Sequence, residues 1–410
     1  EETFFFMLKI PIFTEKRKPV AERCASDPNT KLRLRYEPYY HCVDQVDGIE
    51  VVVKGKRMVM MSSNEYLGLS RHPKVLEAAD RANRQWGTSS CGSRLANGTR
   101  RYHLELEEDL AGFLGKEACH VLAAGYLSCM ASVTSLAQRG DAVIVDRSIH
   151  AALWDGVNLS LGTVERFSHE DMESLELLLE QLDAAQPKII VVDGVYSMEG
   201  HIASLPHLTR LAQKYEAFLV VDDAHGFGVL GREGRGVCDH FGLGSEVDLI
   251  AGSFSKSLAS TGGFIAGDQT TIDYLRSTCR QIIFSAALSP GQAAAARMAL
   301  RVMQEEPEHR VRLLENTKYL QGILDRLGLD YWASPTPAMP IVIGNKEKCY
   351  FMWKSLWEQG FFTVMSISPG VPVGKDLIRT AVSALHTREQ LDRFGDALAL
   401  AMKKAGIKGR

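Results

Sequence analysis

Lys256 stands in Gly252-Ser253-Phe254-Ser255-Lys256-Ser257, just after an apolar run at 247–251 that reads as a buried strand and ahead of Gly262-Gly263. A lysine amine placed there is short of water, and a desolvated amine condenses with aldehydes. Upstream, residues 217–221 form a second apolar run, of the kind a buried parallel strand needs. Asp222 therefore falls at the carboxyl end of that strand, the edge where open α/β sheets bind ligands. An aspartate there can keep a pyridine nitrogen protonated, and the ring then draws electrons from a carbanion. His225, three residues on, can donate to a phenolate oxygen of the same ring. Taken singly, Lys256 reads better as a surface lysine, Asp222 as a helix cap and His225 as an ordinary buried histidine. In this order and context, the three point to pyridoxal 5'-phosphate as cofactor.

These residues need a parallel sheet to hold them. Residues 141–146, 188–193 and 218–222 are predicted strands, separated by helical patterns such as 175–182 and 205–215. The alternation predicts an α/β fold with a doubly wound, mostly parallel sheet. After Pro290 a helical pattern at 291–304 leads into a region with short apolar runs at 339–343, 362–365 and 378–382, read as a smaller α+β domain. Residues 1–60 are read as an N-terminal arm with a hairpin, in which 51–53 and 58–60 flank Lys54-Gly55-Lys56. The expected division is 1–60, 61–295 for the cofactor-binding domain and 296–410 for the small domain. The apolar stretch at 4–13, broken by Lys9, is too short to span a bilayer. It is read as packing on a partner subunit, the alternatives being peripheral contact with a membrane or an acyl chain.

Composition excludes other classes. The 410 residues carry 47 Lys and Arg against 50 Asp and Glu, a net charge of −3, which leaves no basic footprint for nucleic acid. The eight cysteines (Cys24, Cys42, Cys91, Cys119, Cys129, Cys238, Cys279, Cys349) show no CxxC spacing, so neither a disulfide framework nor a zinc site is indicated, and a reducing cytoplasm is expected.

Several ordered blocks between about residues 45 and 395 resemble the α-oxoamine synthase family of fold-type I pyridoxal-phosphate enzymes. They are Ser62-Ser63-Asn64-Glu65-Tyr66-Leu67-Gly68-Leu69; Gly92-Ser93-Arg94-Leu95-Ala96-Asn97-Gly98-Thr99 with His103 and Leu106-Glu107; His150-Ala151-Ala152 with Asp155-Gly156; Asp193-Gly194-Val195-Tyr196-Ser197-Met198-Glu199-Gly200; the Asp222 and Lys256 segments; and Ser383-Ala384-Leu385-His386-Thr387. The resemblance implies the joining of a small amino acid to an acyl thioester with loss of carbon dioxide. It makes His150 the imidazole stacked on the cofactor ring and Arg379 the carboxylate-binding guanidinium, with Asn64 as helper. It puts Ser197 near the ring's polar edge and Ser253 and Ser255 near the phosphate, with Ser285 reaching it from a partner subunit. A homodimer with active sites at its interface follows. Gly125-Tyr126-Leu127, after an apolar run at 121–124 and before a helix, offers backbone N–H groups for the phosphate.

Substrate choice is less legible. The segments around Lys256, Thr278-Cys279-Arg280 with Phe284-Ser285-Ala286, and Leu314-Glu315-Asn316 look most similar to soluble bacterial serine palmitoyltransferases, implying L-serine and palmitoyl-CoA. Those enzymes carry an arginine where Ile367 stands here, ahead of Ser368-Pro369-Gly370-Val371-Pro372. Relatives that use glycine or alanine, with another acyl-CoA or a carrier-protein-bound chain, lack it too. Arg23, Lys31, Arg33 and Arg35 could serve a CoA mouth or form a solvated charged face. A non-catalytic partner subunit and an ordinary aminotransferase are the remaining readings. Lys256 with its partners argues against the first, and the His150 and Ser197 blocks against the second.

Overall fold

The computed structural model describes residues 18–27, 37–368 and 370–409. The chain separates into two compact units, Glu1–Val43 and Asp44–Arg410. Within the first, the helix Pro19–Ser26 buries none of its residues, and Arg23 lies exposed in its last turn. The stretch at 4–13, with Lys31, Arg33 and Arg35, lies outside the described residues.

The second unit opens with β1 (Gln45–Asp47), β2 (Glu50–Val53) and β3 (Lys56–Met60), an antiparallel meander. Lys54 and Gly55 turn between β2 and β3 at φ 50° and 76°, the pair of positive angles a two-residue hairpin turn requires.

The central sheet holds seven strands: β4 (Ala118–Leu122), β5 (Ala142–Asp146), β6 (Thr163–Phe167), β7 (Lys188–Asp193), β8 (Ala217–Asp222), β9 (Leu249–Ser253) and β10 (Gly263–Gly267), in the order β4-β10-β9-β8-β7-β5-β6. The strands from β5 to β9 are parallel, and β4, β5, β7 and β9 are buried along their whole length. Burial on both faces explains why these segments read as unbroken apolar runs rather than alternating ones. The predicted strands at 141–146, 188–193 and 218–222 are present within a residue, and the one at 247–251 runs on to Ser253. One strand departs from the parallel pattern: β10 is antiparallel to both β9 and β4. The link through 254–262 contains no crossover helix, so the chain can only fold straight back.

Beyond the helix Pro290–Glu305 come a helix at Glu308–Leu327 and β11 (Ala338–Val342), then β12 (Phe361–Phe362), β13 (Val364–Ser366) and β14 (Leu377–Ala381). The single strand expected at 362–365 is two. β12 pairs in parallel with β3, whereas β13 joins β14 in the antiparallel sheet β11-β14-β13. The break falls at Thr363, whose carbonyl accepts the indole N–H of Trp353 (3.1 Å). Because β3 pairs with β12, residues 44–60 are part of the second compact unit, and the N-terminal unit ends at Val43 rather than near residue 60. Among the described residues, no helix is long and apolar enough to cross a membrane.

Candidate active site

A cavity of about 330 Å³ opens at the carboxyl ends of the parallel strands, lined among others by Gly125, His150, Asp222, His225, Ser253 and Lys256. Asp222 is the last residue of β8 and is buried. One of its oxygens accepts the Ala224 N–H (3.0 Å) and the other the Cys129 thiol (2.9 Å). Beside it, Asp193 ends β7 and accepts the backbone N–H of His150 (3.1 Å). Burial and the neighbouring Asp222 push the Asp193 carboxyl up well above its usual range. That bond fixes the start of the helix Ala151–Leu159, whose N-cap is His150; the ring Nδ1 accepts the Ala152 N–H (3.2 Å). The imidazole keeps an exposed side, yet crowding at its base, with Lys256 and Arg379, lowers its pKa against the pull of Asp222.

Lys256 follows β9 by three residues and is half-buried. Loss of solvent lowers the pKa of its amine, Arg379 adds to the effect, and Asp222 opposes it. An amine so placed is neutral for a larger share of the time than a surface lysine, which both condensation with an aldehyde and proton abstraction require.

His225 is buried, and its pKa falls well below the ordinary value through desolvation reinforced by Lys256, Arg379 and His150. It is therefore neutral. Its Nδ1 meets the Tyr66 hydroxyl at 2.7 Å, and burial pushes the Tyr66 pKa to about 12, so that hydroxyl keeps its proton. With Tyr66 donating to Nδ1, the ring hydrogen sits on Nε2, a donor for a phenolate in the cavity.

Gly125 opens the helix Gly125–Thr134, and the N–H groups of Gly125, Tyr126 and Leu127 are those a helix leaves without partners in its own backbone. A Cβ on Gly125 would lie 2.3 Å from Ser253 Oγ, so only glycine allows β9 and this helix end to approach so closely. Ser253 Oγ is also 2.8 Å from Ser255 Oγ, which brings both hydroxyls beside those N–H groups. The Tyr126 hydroxyl bonds Asp155, which swings the exposed Tyr126 ring to 6.5 Å from that of His150.

These features fit pyridoxal phosphate on their own chemistry. An anion cradle built around a glycine, a carboxylate at the opposite end and a poorly solvated amine between them match the phosphate, the ring nitrogen and the aldehyde.

Arg379, Asn64 and Ser197 do not line the cavity, but they meet one another beside it. Arg379 on β14 donates to Ser197 O (3.0 Å) and Asn64 Oδ1 (2.9 Å). Its charge reaches Lys256, His150 and His225. Ser285 lies elsewhere, in a small crevice with Arg94, His120 and Gln281. Local pattern singles out neither Tyr66, which stands within the block at 62–69, nor Cys129, one of eight scattered thiols, although Cys129 lies one helical turn after a phosphate-type glycine.

The family model for class I and II aminotransferases matches residues 56–398. The chain is 41% identical to a serine palmitoyltransferase of Sphingobacterium spiritivorum across 90% of this chain and 93% of that protein. It is 40% identical to an 8-amino-7-oxononanoate synthase of Bacillus velezensis across 88% and 93%. A solved serine palmitoyltransferase of S. paucimobilis, with PLP and myriocin bound, superposes with a TM-score of 0.92 at 30% identity, covering 95% of this chain and 100% of that one. The chain thus belongs to the class I and II aminotransferase family and, within it, to the α-oxoamine synthases, acyltransferases that work with pyridoxal phosphate.

Proposed function

We propose that this chain joins L-serine to palmitoyl-CoA, giving 3-ketosphinganine, free CoA and carbon dioxide. The observation that carries the reading is the meeting of Lys256, Asp222, His150 and His225 around one cavity, with Arg379 beside it. Identity to serine palmitoyltransferases over nine-tenths of the chain supports the choice of substrates.

Bound pyridoxal phosphate supplies an aldehyde for the amino-acid nitrogen and a protonated ring that takes up the electron pair released at the α-carbon. Asp222 would keep the ring nitrogen protonated, and the Cys129 thiol and Ala224 N–H keep that carboxylate in place. His225 Nε2 would donate to the phenolate, and the helix start at Gly125 with Ser253 and Ser255 would hold the phosphate. Arg379 grips the substrate carboxylate in paired hydrogen bonds, steadied by Asn64 and the Ser197 carbonyl. Lys256 takes the α-proton and returns it to the product after carbon dioxide has left. His150 covers the exposed face and guides the carboxylate.

We also read 61–295 as the cofactor-binding domain and 296–410 as the smaller domain that excludes water over it. The reading includes a homodimer, with Ser285 reaching the neighbour's phosphate. The eight free cysteines support a cytoplasmic setting.

A second reading, glycine or alanine with another acyl thioester, is favoured by Ile367 and by the likeness to 8-amino-7-oxononanoate synthases. Mass analysis of products from palmitoyl-CoA with L-serine, glycine or L-alanine tests the two. A serine-dependent 3-ketosphinganine supports the first, and product only with another amino acid replaces it with the second.

A further inference from the structure

Outside the cofactor cavity, on the same edge of the sheet, two histidines confront each other. His169 follows β6, and His201 closes the turn after β7. Their rings lie nearly parallel, at 7°, with centroids 5.4 Å apart and His169 Nε2 3.2 Å from His201 Nδ1. The outer nitrogen of each ring meets only acceptors. His169 Nδ1 is 3.1 Å from both oxygens of Asp146, and His201 Nε2 is 3.3 Å from the carbonyl of Trp332. A neutral imidazole has one N–H; Asp146 claims that of His169, while in His201 the Trp332 carbonyl and the Glu170 carboxylate compete for it, and a cation seated against the carboxylate leaves it with Trp332. The inner nitrogens are then two lone pairs facing at hydrogen-bond distance. A cation between them relieves that repulsion, and the carboxylate of Glu170 closes the third side, 3.2 Å from His201 Nδ1 and 4.0 Å from His169 Nε2.

The spacing distinguishes the cations. A shared proton bridges two atoms, whereas a metal ion engages all three donors at once. A tetrahedral zinc, with Zn–N bonds of about 2.0–2.1 Å, sets its donor atoms about 3.3–3.4 Å apart; two of the separations here are 3.2 Å, and the third, from His169 to Glu170, must close from 4.0 Å. The carboxylate behind His169 is the device by which metal sites fix the tautomer and raise the basicity of a ligating ring. Asp146 is itself fixed by the Ser148 N–H (2.7 Å), the Glu170 N–H (3.1 Å) and the Tyr196 hydroxyl (3.0 Å). Glu170 holds its place with a backbone φ of 57°, unusual for a side-chain-bearing residue. The side chains of His169, His201 and Glu170 are 22%, 25% and 34% exposed, open enough for an ion and a water to enter.

We propose that His169 Nε2, His201 Nδ1 and Glu170 Oε2 form a site for a zinc-class divalent cation, with its fourth position left to water. The ion ties the end of β6 to the turn at 196–201. That turn carries Ser197, whose carbonyl accepts Arg379, so the ion also stiffens the anchor of this guanidinium.

The test is equilibrium dialysis of the tag-free, pyridoxal-phosphate-loaded full chain against Zn²⁺, with Co²⁺ as the visible probe, beside His201→Gln and Glu170→Gln. One Co²⁺ per wild-type chain is expected, with the intense d–d bands of tetrahedral coordination. In both variants the affinity falls at least about tenfold, while circular dichroism shows the fold retained. Binding at the cysteines instead would persist in both variants with thiolate charge-transfer bands, and would overturn the proposal. So would wild-type chain that takes up no ion at micromolar Zn²⁺, which would leave a shared proton as the occupant. None of these readouts depends on the amino acid the enzyme uses.

Discussion

Two pairs of histidines occupy one edge of one sheet and are driven in opposite directions. His150 and His225 border the cofactor cavity, where loss of solvent and the cations Lys256 and Arg379 lower both pKa values. At His169 burial pulls the same way, but Asp146 outweighs it with Glu199 and Glu170, and the pKa rises. At His201 the Glu170 carboxylate comes first and raises the pKa against partial burial. The imidazole is the same in all four. The neighbouring charge decides whether a ring serves as a neutral face and hydrogen-bond donor or as a seat for positive charge.

The sharpest way to break this contrast is to remove the cation from the first pair. Lys256→Ala should lower turnover by about 10³-fold or more and abolish the visible absorbance of lysine-linked cofactor. A variant that keeps that absorbance would remove Lys256 from its role.

His386 tests whether burial alone produces the neutral state. Its Nδ1 accepts the Ser383 N–H (2.9 Å), its Nε2–H donates to Met60 O (3.1 Å), and burial pushes its pKa down to about 4. The unfolded chain takes up a proton near pH 6.5, where the folded chain refuses it. This contribution to stability is therefore complete above about pH 6.5 and is lost as pH falls towards 4, by roughly 3 kcal/mol. Urea unfolding between pH 7.5 and 4 should show a shallower pH slope in His386→Gln than in wild type.

Arg379→Lys keeps the charge that both cavity histidines feel but loses the planar fork. The KM for the amino acid should rise about tenfold with a smaller change in kcat, consistent with about 1.5 kcal/mol for one charged hydrogen bond. An unchanged KM would place the substrate carboxylate elsewhere.

Cys129→Ala makes the smallest change, deleting one thiol from Asp222. A shift in the absorbance maximum of bound cofactor is expected, with activity reduced severalfold for a bond of roughly 1 kcal/mol. An unshifted spectrum would mean that the Ala224 N–H alone orients the carboxylate.

The parts of this site that were legible in the sequence are those in which a local pattern fixes a position in space. Asp222 and Lys256 follow apolar runs long enough to be strands, so each had to emerge at a strand's carboxyl end. Gly125 opens a helix after such a run. What was not legible depends on pairings between distant segments. Tyr66 reaches His225, and Cys129 reaches Asp222, through packing that no local pattern encodes. The strand at 263–267 is hidden because its glycines read as loop, and the run at 362–365 carries no sign that its two halves enter different sheets. Ser285 needs a second chain to meet the role that the resemblance gave it.

The pairing of β12 with β3 has a consequence for how the chain is made. Phe361 and Phe362 complete a sheet whose other strands leave the ribosome long before them. Until they arrive, β3 waits with an open edge, and closing so long a loop costs entropy that few local contacts repay. During synthesis that edge is a place where a chaperone, or a strand from another nascent chain, would find this protein.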